Sequence, residues 1–192
     1  MIPRTFFERD PVTCARELIG CELVWNECAG IIVETEAYAA VNDEACHTFF
    51  RPSARKFVAE NGPGIAYVYF NYGMYWLLNV LVKGGQEDGF VLIRALEPTR
   101  GIPLMRDRRN AARPAKPAKI EALCSGPGKL TIALGVDGRD HRRDLCRLPT
   151  IGFRQPPTPA TWESGSRIGI SRAKALPWRF LAAGNPFVSH QQ

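Results

Sequence analysis

The chain has 192 residues, a length that favours one domain, and its 45% hydrophobic and 23% charged residues exclude disordered, collagen-like and fibrous classes. Lys and Arg number 25 against 19 Asp and Glu, and the resulting net charge of +6 permits a polyanionic partner without requiring one. No apolar run approaches the roughly 18 residues of a membrane-spanning helix, and Met1–Asp10 lacks a signal peptide's hydrophobic stretch, so a cytosolic protein off the membrane is expected.

Asp10-Pro11 supplies an N-cap acceptor and a first-turn proline, and Gly20 closes the short helix that they open. Five β-type runs follow: Cys21–Trp25, Gly30–Tyr38, Ile65–Phe70, Tyr75–Val82 and Gly89–Glu97. Between Arg106 and Lys119 lie Arg106, Arg108, Arg109, Arg113, Lys116 and Lys119 with two prolines, which predicts a helix end running into a mobile basic loop. Ser125-Gly126-Pro127-Gly128-Lys129 opens a helix through Leu134 that stops at Gly135. Leu123 and Leu130 stand where a phosphate-binding P-loop needs Gly and Ser/Thr, so that motif fails. After Pro156-Pro157, Arg167–Ser171 and Pro177–Phe180 predict further strands of the same domain. The architecture expected is α+β: a single mixed domain over residues 1–192, with a curved, largely antiparallel sheet, a protruding β-hairpin and helices around it.

The six cysteines, at 14, 21, 28, 46, 124 and 146, form no C-x-x-C pair and read as reduced core fillers. Cys46-His47 has no second ligand cluster, so no metal is assigned. Polar residues in apolar runs are more informative. Period-2 alternation puts Glu34, Glu36 and Tyr38 on one strand face. Arg94 interrupts Phe90–Leu96, and Asn79 interrupts Trp76–Leu81. A buried strand arginine must be paired, and Glu34 or Glu36 is the most economical partner, with room for a water between the charges. These intrusions read either as structural polar pairs or as one site. Asn71-Tyr72-Gly73-Met74 joins two strands and sets Tyr72 at a hairpin tip, where an aromatic can pack against a neighbour or wedge into stacked bases. Tyr38, Tyr69 and His47 suit a flat heteroaromatic ring.

Several ordered motifs carry a resemblance over nearly the whole chain: Ile32–Tyr38, Asp43–His47, Tyr67-Val68-Tyr69, Tyr72–Tyr75, Arg94–Pro98, Leu123–Pro127 and Arg179-Phe180. In these the sequence resembles the alkyladenine (3-methyladenine) DNA glycosylases of the mammalian alkyladenine glycosylase type, as a bacterial member. The resemblance implies a monofunctional base-excision-repair enzyme that hydrolyses the N-glycosidic bond of damaged purines in double-stranded DNA, without a cofactor and without lyase activity. By the same resemblance Glu36 is the general base, and Arg94 and the main-chain carbonyl of Ile168 hold the attacking water. Tyr38, Tyr69 and His47 embrace the flipped base, Tyr72 fills its vacated place, and Asn79 crowds the amino group of guanine. Lys129, Arg106 and Arg109 are expected on the DNA backbone. A monomer in the cytoplasm, at the nucleoid, is expected, with no partner recruited by an amino-terminal tail. Two alternatives stay open: a sugar hydrolase using Glu34 and Glu36 as an acid/base pair, and a non-catalytic nucleic-acid-binding module.

Overall fold

The computed structural model describes residues 1–112, 117–147, 149–156 and 160–189. Helix α1 (Pro11–Glu17) starts where the Asp10 carboxylate accepts a hydrogen bond from the Thr13 amide at 2.8 Å, and Gly20, at φ +87°, turns the chain out of it. The expected strands are present as β1 (Glu22–Trp25), β2 (Cys28–Ala39), β3 (Ala66–Asn71), β4 (Tyr75–Val82) and β5 (Gly89–Arg100). Further along come β6 (Ile151–Arg154), β7 (Trp162–Gly165) and β8 (Arg179–Ala182). The sheet order is β3-β4-β5-β2-β1-β6, with β8 also on β2 and β7 outside β8. Among the described residues every strand pairing is antiparallel. The α+β class read from the sequence is the one the chain adopts.

Strand β2 is the organising element. One edge runs along β5 for most of its length, while the other edge is shared: residues 28–31 pair with β1, and residues 34–36 pair with β8. The sheet therefore forks at Ile32-Val33, where the β2–β5 ladder shifts register twice between Ile32 and Thr35. Arg94 falls at the second shift, between the Glu34–Ala95 and Thr35–Ile93 pairs. Such irregularities bend a strand and re-aim its side chains.

Register then sorts the two faces. Tyr67 pairs with Asn79, Asn79 with Leu92, Leu92 with Glu36, and Tyr38 with Phe90, so these side chains share one face of four neighbouring strands. The opposite face carries Val68, Leu78, Val80, Val91 and Ile93 into the main core, where α1 packs and Thr35 donates to the Ala15 carbonyl at 2.8 Å. A smaller core of Cys46, Ala54, Phe57, Tyr67, Leu81 and Phe90 lies on the site face beneath α3 (Pro52–Glu60), and α2 (His47–Phe50) lies just before it. All six cysteines are unpaired thiols, five of them buried, which agrees with their role as core fillers.

One expectation needs correction. Arg167–Ser171 is not a strand: Gly169 takes φ +75°, and the segment is an irregular loop between β7 and β8. The helix end expected in the basic stretch is α4 (Ile102–Ala112), which contains Arg106, Arg108 and Arg109. Arg108 is spent on the fold, donating to the Ala133 and Leu134 carbonyls at 3.1 and 2.8 Å at the end of α5 (Pro127–Leu134). Arg113, Lys116 and Pro157 lie outside the described residues. Helix α3 adds to the expected elements, and the helical spacing of its buried Ala54, Phe57 and Val58 behind Pro52 is its sequence signal. Leu78 sits at the centre of the main core with no exposed surface. Leu78→Ala should destabilise the fold by about 2–5 kcal/mol, read as a lowered urea midpoint at unchanged slope.

Candidate active site

The site face of β2–β5 forms the floor of a cavity of about 910 Å³. Tyr38, Tyr69, Asn79, Leu92 and Arg94 rise from the strands, His47 and Phe50 come from α2, Lys129 from α5, and Ile168 from the β7–β8 loop. Tyr72 stands at one edge of the cavity on the β3–β4 hairpin. It holds φ +49° ahead of Gly73 at φ +66°, and 79% of its surface is exposed.

Beneath the floor two carboxylates share one guanidinium. Arg94 Nε donates to Glu34 Oε1 at 2.8 Å, while its Nη1 lies 3.3 Å from Glu36 Oε1, an ion-pair contact longer than a charge-assisted hydrogen bond. Both carboxylates that the sequence offered as partners are therefore used, and they are used differently. Glu34 also accepts from Arg179 Nε at 2.7 Å and from the Ser189 amide and hydroxyl at 2.7 and 2.8 Å. Burial opposes its charge, yet Arg94, Ser189 and Arg179 together hold it below the ordinary glutamate value. A carboxylate held by this many donors is fixed in its charged form, which removes Glu34 as the proton donor of a sugar hydrolase.

Glu36 has fewer donors. Its Oε2 accepts from the Tyr38 hydroxyl at 2.6 Å and its Oε1 from the Ile168 amide at 2.6 Å. The carboxylate is fully buried just behind Tyr38, Arg94 and Ile168, which line the cavity. Burial raises its pKa and outweighs the lowering by Arg94, Tyr38 and Ile168, while the charge of Glu34 adds to the rise. The positive charge of Arg94 favours an ionised Glu36, but desolvation is the larger effect.

His47 Nδ1 lies 3.0 Å from the Tyr67 hydroxyl, and its ring meets that of Tyr69 edge-on at 4.3 Å. Burial, reinforced by the charge of Arg51, lowers the His47 pKa to about 4, so the imidazole is neutral near pH 7. Asn79 is buried in the floor, its amide donating to the Tyr67 carbonyl at 3.2 Å. Lys129 Nζ donates to Ser125 Oγ at 3.3 Å beside the start of α5. Arg109 is buried and lines the same cavity from α4, whereas Arg106 is exposed and does not reach it.

One element of the site was missed in the sequence. Arg167 and Asp43 form a fully buried bidentate pair, with Nη1–Oδ2 at 2.6 Å and Nη2–Oδ1 at 2.8 Å. Arg167 also donates to the Ala37 carbonyl at 2.9 Å, and its guanidinium lies 4.6 Å from the Tyr38 ring centre. Asp43 in turn accepts from the Ala39 and Ala45 amides. This clasp joins the end of β2, the turn leading to His47, and the loop whose next residue, Ile168, holds Glu36. Arg179 and Ser189, which secure Glu34, were likewise unassigned.

A family model described as methylpurine-DNA glycosylase (MPG) matches residues 5–186. The chain belongs to the methylpurine-DNA glycosylase family. A Rhizobium etli protein provisionally named 3-methyladenine DNA glycosylase is 45% identical over 97% of this chain and 87% of its own length. Its similarly named counterpart from Rhodopseudomonas palustris is 42% identical over 98% and 88%, and that of Rubrobacter xylanophilus 44% over 88% and 86%. The glycosylase is thus a hydrolase whose substrate is DNA, and the non-catalytic binding module is set aside. No helix among its described residues is long and apolar enough to cross a membrane.

Removing the charge of Asp43 leaves the Arg167 guanidinium buried without its counter-ion. Asp43→Asn should therefore lower stability by about 3–5 kcal/mol. Chemical denaturation at neutral pH measures it, and a loss below 1 kcal/mol would show that the clasp is not needed.

Proposed function

We propose that this glycosylase flips alkylated or deaminated purines, 3-methyladenine first among them, out of duplex DNA and hydrolyses their N-glycosidic bond with a water activated by Glu36. The observation that carries the reading is the unequal treatment of the two carboxylates around Arg94: Glu34 is locked as a charged anchor, and Glu36 is poised behind the cavity wall with a raised pKa. The names of the relatives support the lesion class.

A base inside a duplex cannot reach a pocket lined by side chains, so it must leave the stack, at a cost that protein contacts offset. Tyr72, exposed at the hairpin turn, takes the vacated place. The flipped purine lies among Tyr38, Tyr69 and His47. Rings rich in π density favour an alkylated, cationic purine by a cation–π contribution on the order of 1 kcal/mol. The neutral His47 adds no repelling charge. Asn79, rigid in the floor, crowds the exocyclic amino group of guanine.

In the chemical step the C1′–N9 bond breaks and its electron pair leaves with the purine, which neutralises the ring if it was alkylated. Negative charge on Glu36 stabilises the oxocarbenium-like sugar. Glu36 takes a proton from the water as the oxygen bonds to C1′, giving an abasic sugar and a free base. Arg94 and the Ile168 carbonyl orient that water, and the Ile168 amide keeps the carboxylate in place. Hypoxanthine and ethenoadenine enter the same slot, but as neutral rings they must also gain a proton from solvent as the bond to C1′ breaks. No amine attacks C1′, so the strand is left intact. Lys129 and Arg106 act on the DNA backbone, whereas Arg109, buried on the cavity wall, can meet only a phosphate drawn toward the cavity with the flipped nucleotide; residues 1–192 work as one glycosylase domain, as a monomer, in the cytoplasm at the nucleoid.

Single-turnover incubation with a duplex carrying one alkylated or deaminated adenine, followed by alkaline cleavage of the product, tests the reading. Wild type should cleave, and Glu36→Gln should bind the same duplex with turnover reduced by at least a hundredfold. Because Glu36 must be ionised and its pKa is raised, the wild-type rate should fall as pH drops through a value above the ordinary 4.5 for glutamate. An unaltered rate in Glu36→Gln would contradict the mechanism. Asn79→Ser, which opens the floor of the slot, should give measurable release of guanine lesions or normal guanine, detected by chromatography of free bases. No release above wild type would remove Asn79 from discrimination.

A further inference from the structure

Helix α2 is a single turn that buries Thr48 but turns Phe49 and Phe50 outward, 48% and 54% exposed. Phe57 and Phe90, in the adjoining small core, are buried, so the chain has covered its other rings nearby and left these two in water. Together with Phe70, Tyr72 and Met74 of the hairpin, they account for most of the large apolar side chains exposed among the described residues. Phe50 and Tyr72 both line the cavity, one on α2 and one on the hairpin. Clustered apolar exposure of this kind marks a binding surface.

Cations surround the two rings. The Arg51 guanidinium lies 5.7 Å from the centre of Phe50 and also 5.7 Å from that of Tyr69, and Arg172 lies 5.8 Å from Phe49. Arg55 Nη1 donates to the Thr48 carbonyl at 2.7 Å, which fixes the turn from the outside. Flat apolar faces interleaved with guanidinium groups match a polyanion that also offers stacking surfaces, which is what a nucleotide strand presents. An apolar peptide would meet only half of this surface.

We infer that the Phe49–Phe50 edge is a second stacking contact for DNA, seating the nucleotide next to the flipped one in the same strand. The inference rests on the reading that the cavity takes a flipped base. The Phe50 ring meets His47, part of the proposed base slot, edge-on at 5.5 Å. The nucleotides nearest to that base are the ones to which its own phosphates tie it. Tyr72 occupies the gap in the duplex, and α2 meets the flank, with Arg51 and Arg172 toward the phosphates between.

The test uses a duplex with a tetrahydrofuran abasic analogue in place of the flipped nucleotide. 2-Aminopurine is placed at either same-strand neighbour or in the opposite strand. Wild type should change the fluorescence of a same-strand probe. Phe49→Ser/Phe50→Ser should abolish that change and weaken binding on the order of tenfold. Both positions are exposed, so the fold should hold, and an unchanged Tm confirms it. A response confined to the opposite-strand probe, or unchanged affinity and fluorescence in the double variant, would overturn the inference. Failure of wild type to cleave any adenine lesion would instead strike the glycosylase mechanism, so the two failures are distinguishable.

Discussion

A guanidinium buried in the middle of a sheet imposes the constraint on which the rest of the structure depends. Arg94 interrupts an apolar strand, and its charge could not stay there uncompensated without a cost of several kcal/mol. The fork in β2 answers this. By leaving β1 for β8 at Ile32-Val33, the strand bends and brings Glu34 and Glu36 to the same guanidinium from successive positions on one face. Once both carboxylates are committed to one cation, their remaining partners decide their fates. Glu34 gains Arg179 and Ser189 and becomes an anchor, whereas Glu36 gains only a phenol and an amide and stays poised.

The Arg167–Asp43 clasp extends the same economy to the irregular parts of the site. Loops are poor platforms for chemistry unless something rigid holds them. Here one buried ion pair sits behind Tyr38, braces the turn before His47, and fixes the residue that precedes Ile168. Its two partners lie 124 positions apart in the chain. The aromatic wall of the cavity and the Glu36 carboxylate are thereby built on common support.

How much of this could be read from the residues follows from which interactions are local. The strands were legible because β-branched and aromatic runs end at turn residues, and the hairpin tip was legible from Tyr72-Gly73. The shared face of Glu34, Glu36 and Tyr38 followed from period 2 alone. The different fates of Glu34 and Glu36 around Arg94 were not legible, because they depend on Arg179 and Ser189, which reach Glu34 from 145 and 155 positions away. Arg167 looked like part of a strand since Arg167–Ser171 alternates as one. Its side chain is instead consumed by an ion pair that the local sequence does not announce. In the basic stretch the helix end was legible, but not that Arg108 and Arg109 turn inward from it, since Arg108 is drawn to carbonyls of α5 that lie 25 and 26 positions away.

The division of labour between the two carboxylates can be measured without substrate. Carbon-detected NMR titration of the side-chain carboxyls in the free enzyme, with Glu34 and Glu36 assigned by conservative variants, follows each group through its protonation. The account predicts that the two separate, Glu36 titrating above the ordinary glutamate value of 4.5 and Glu34 below it. The reverse order, or both groups ionised well below that value, would contradict it.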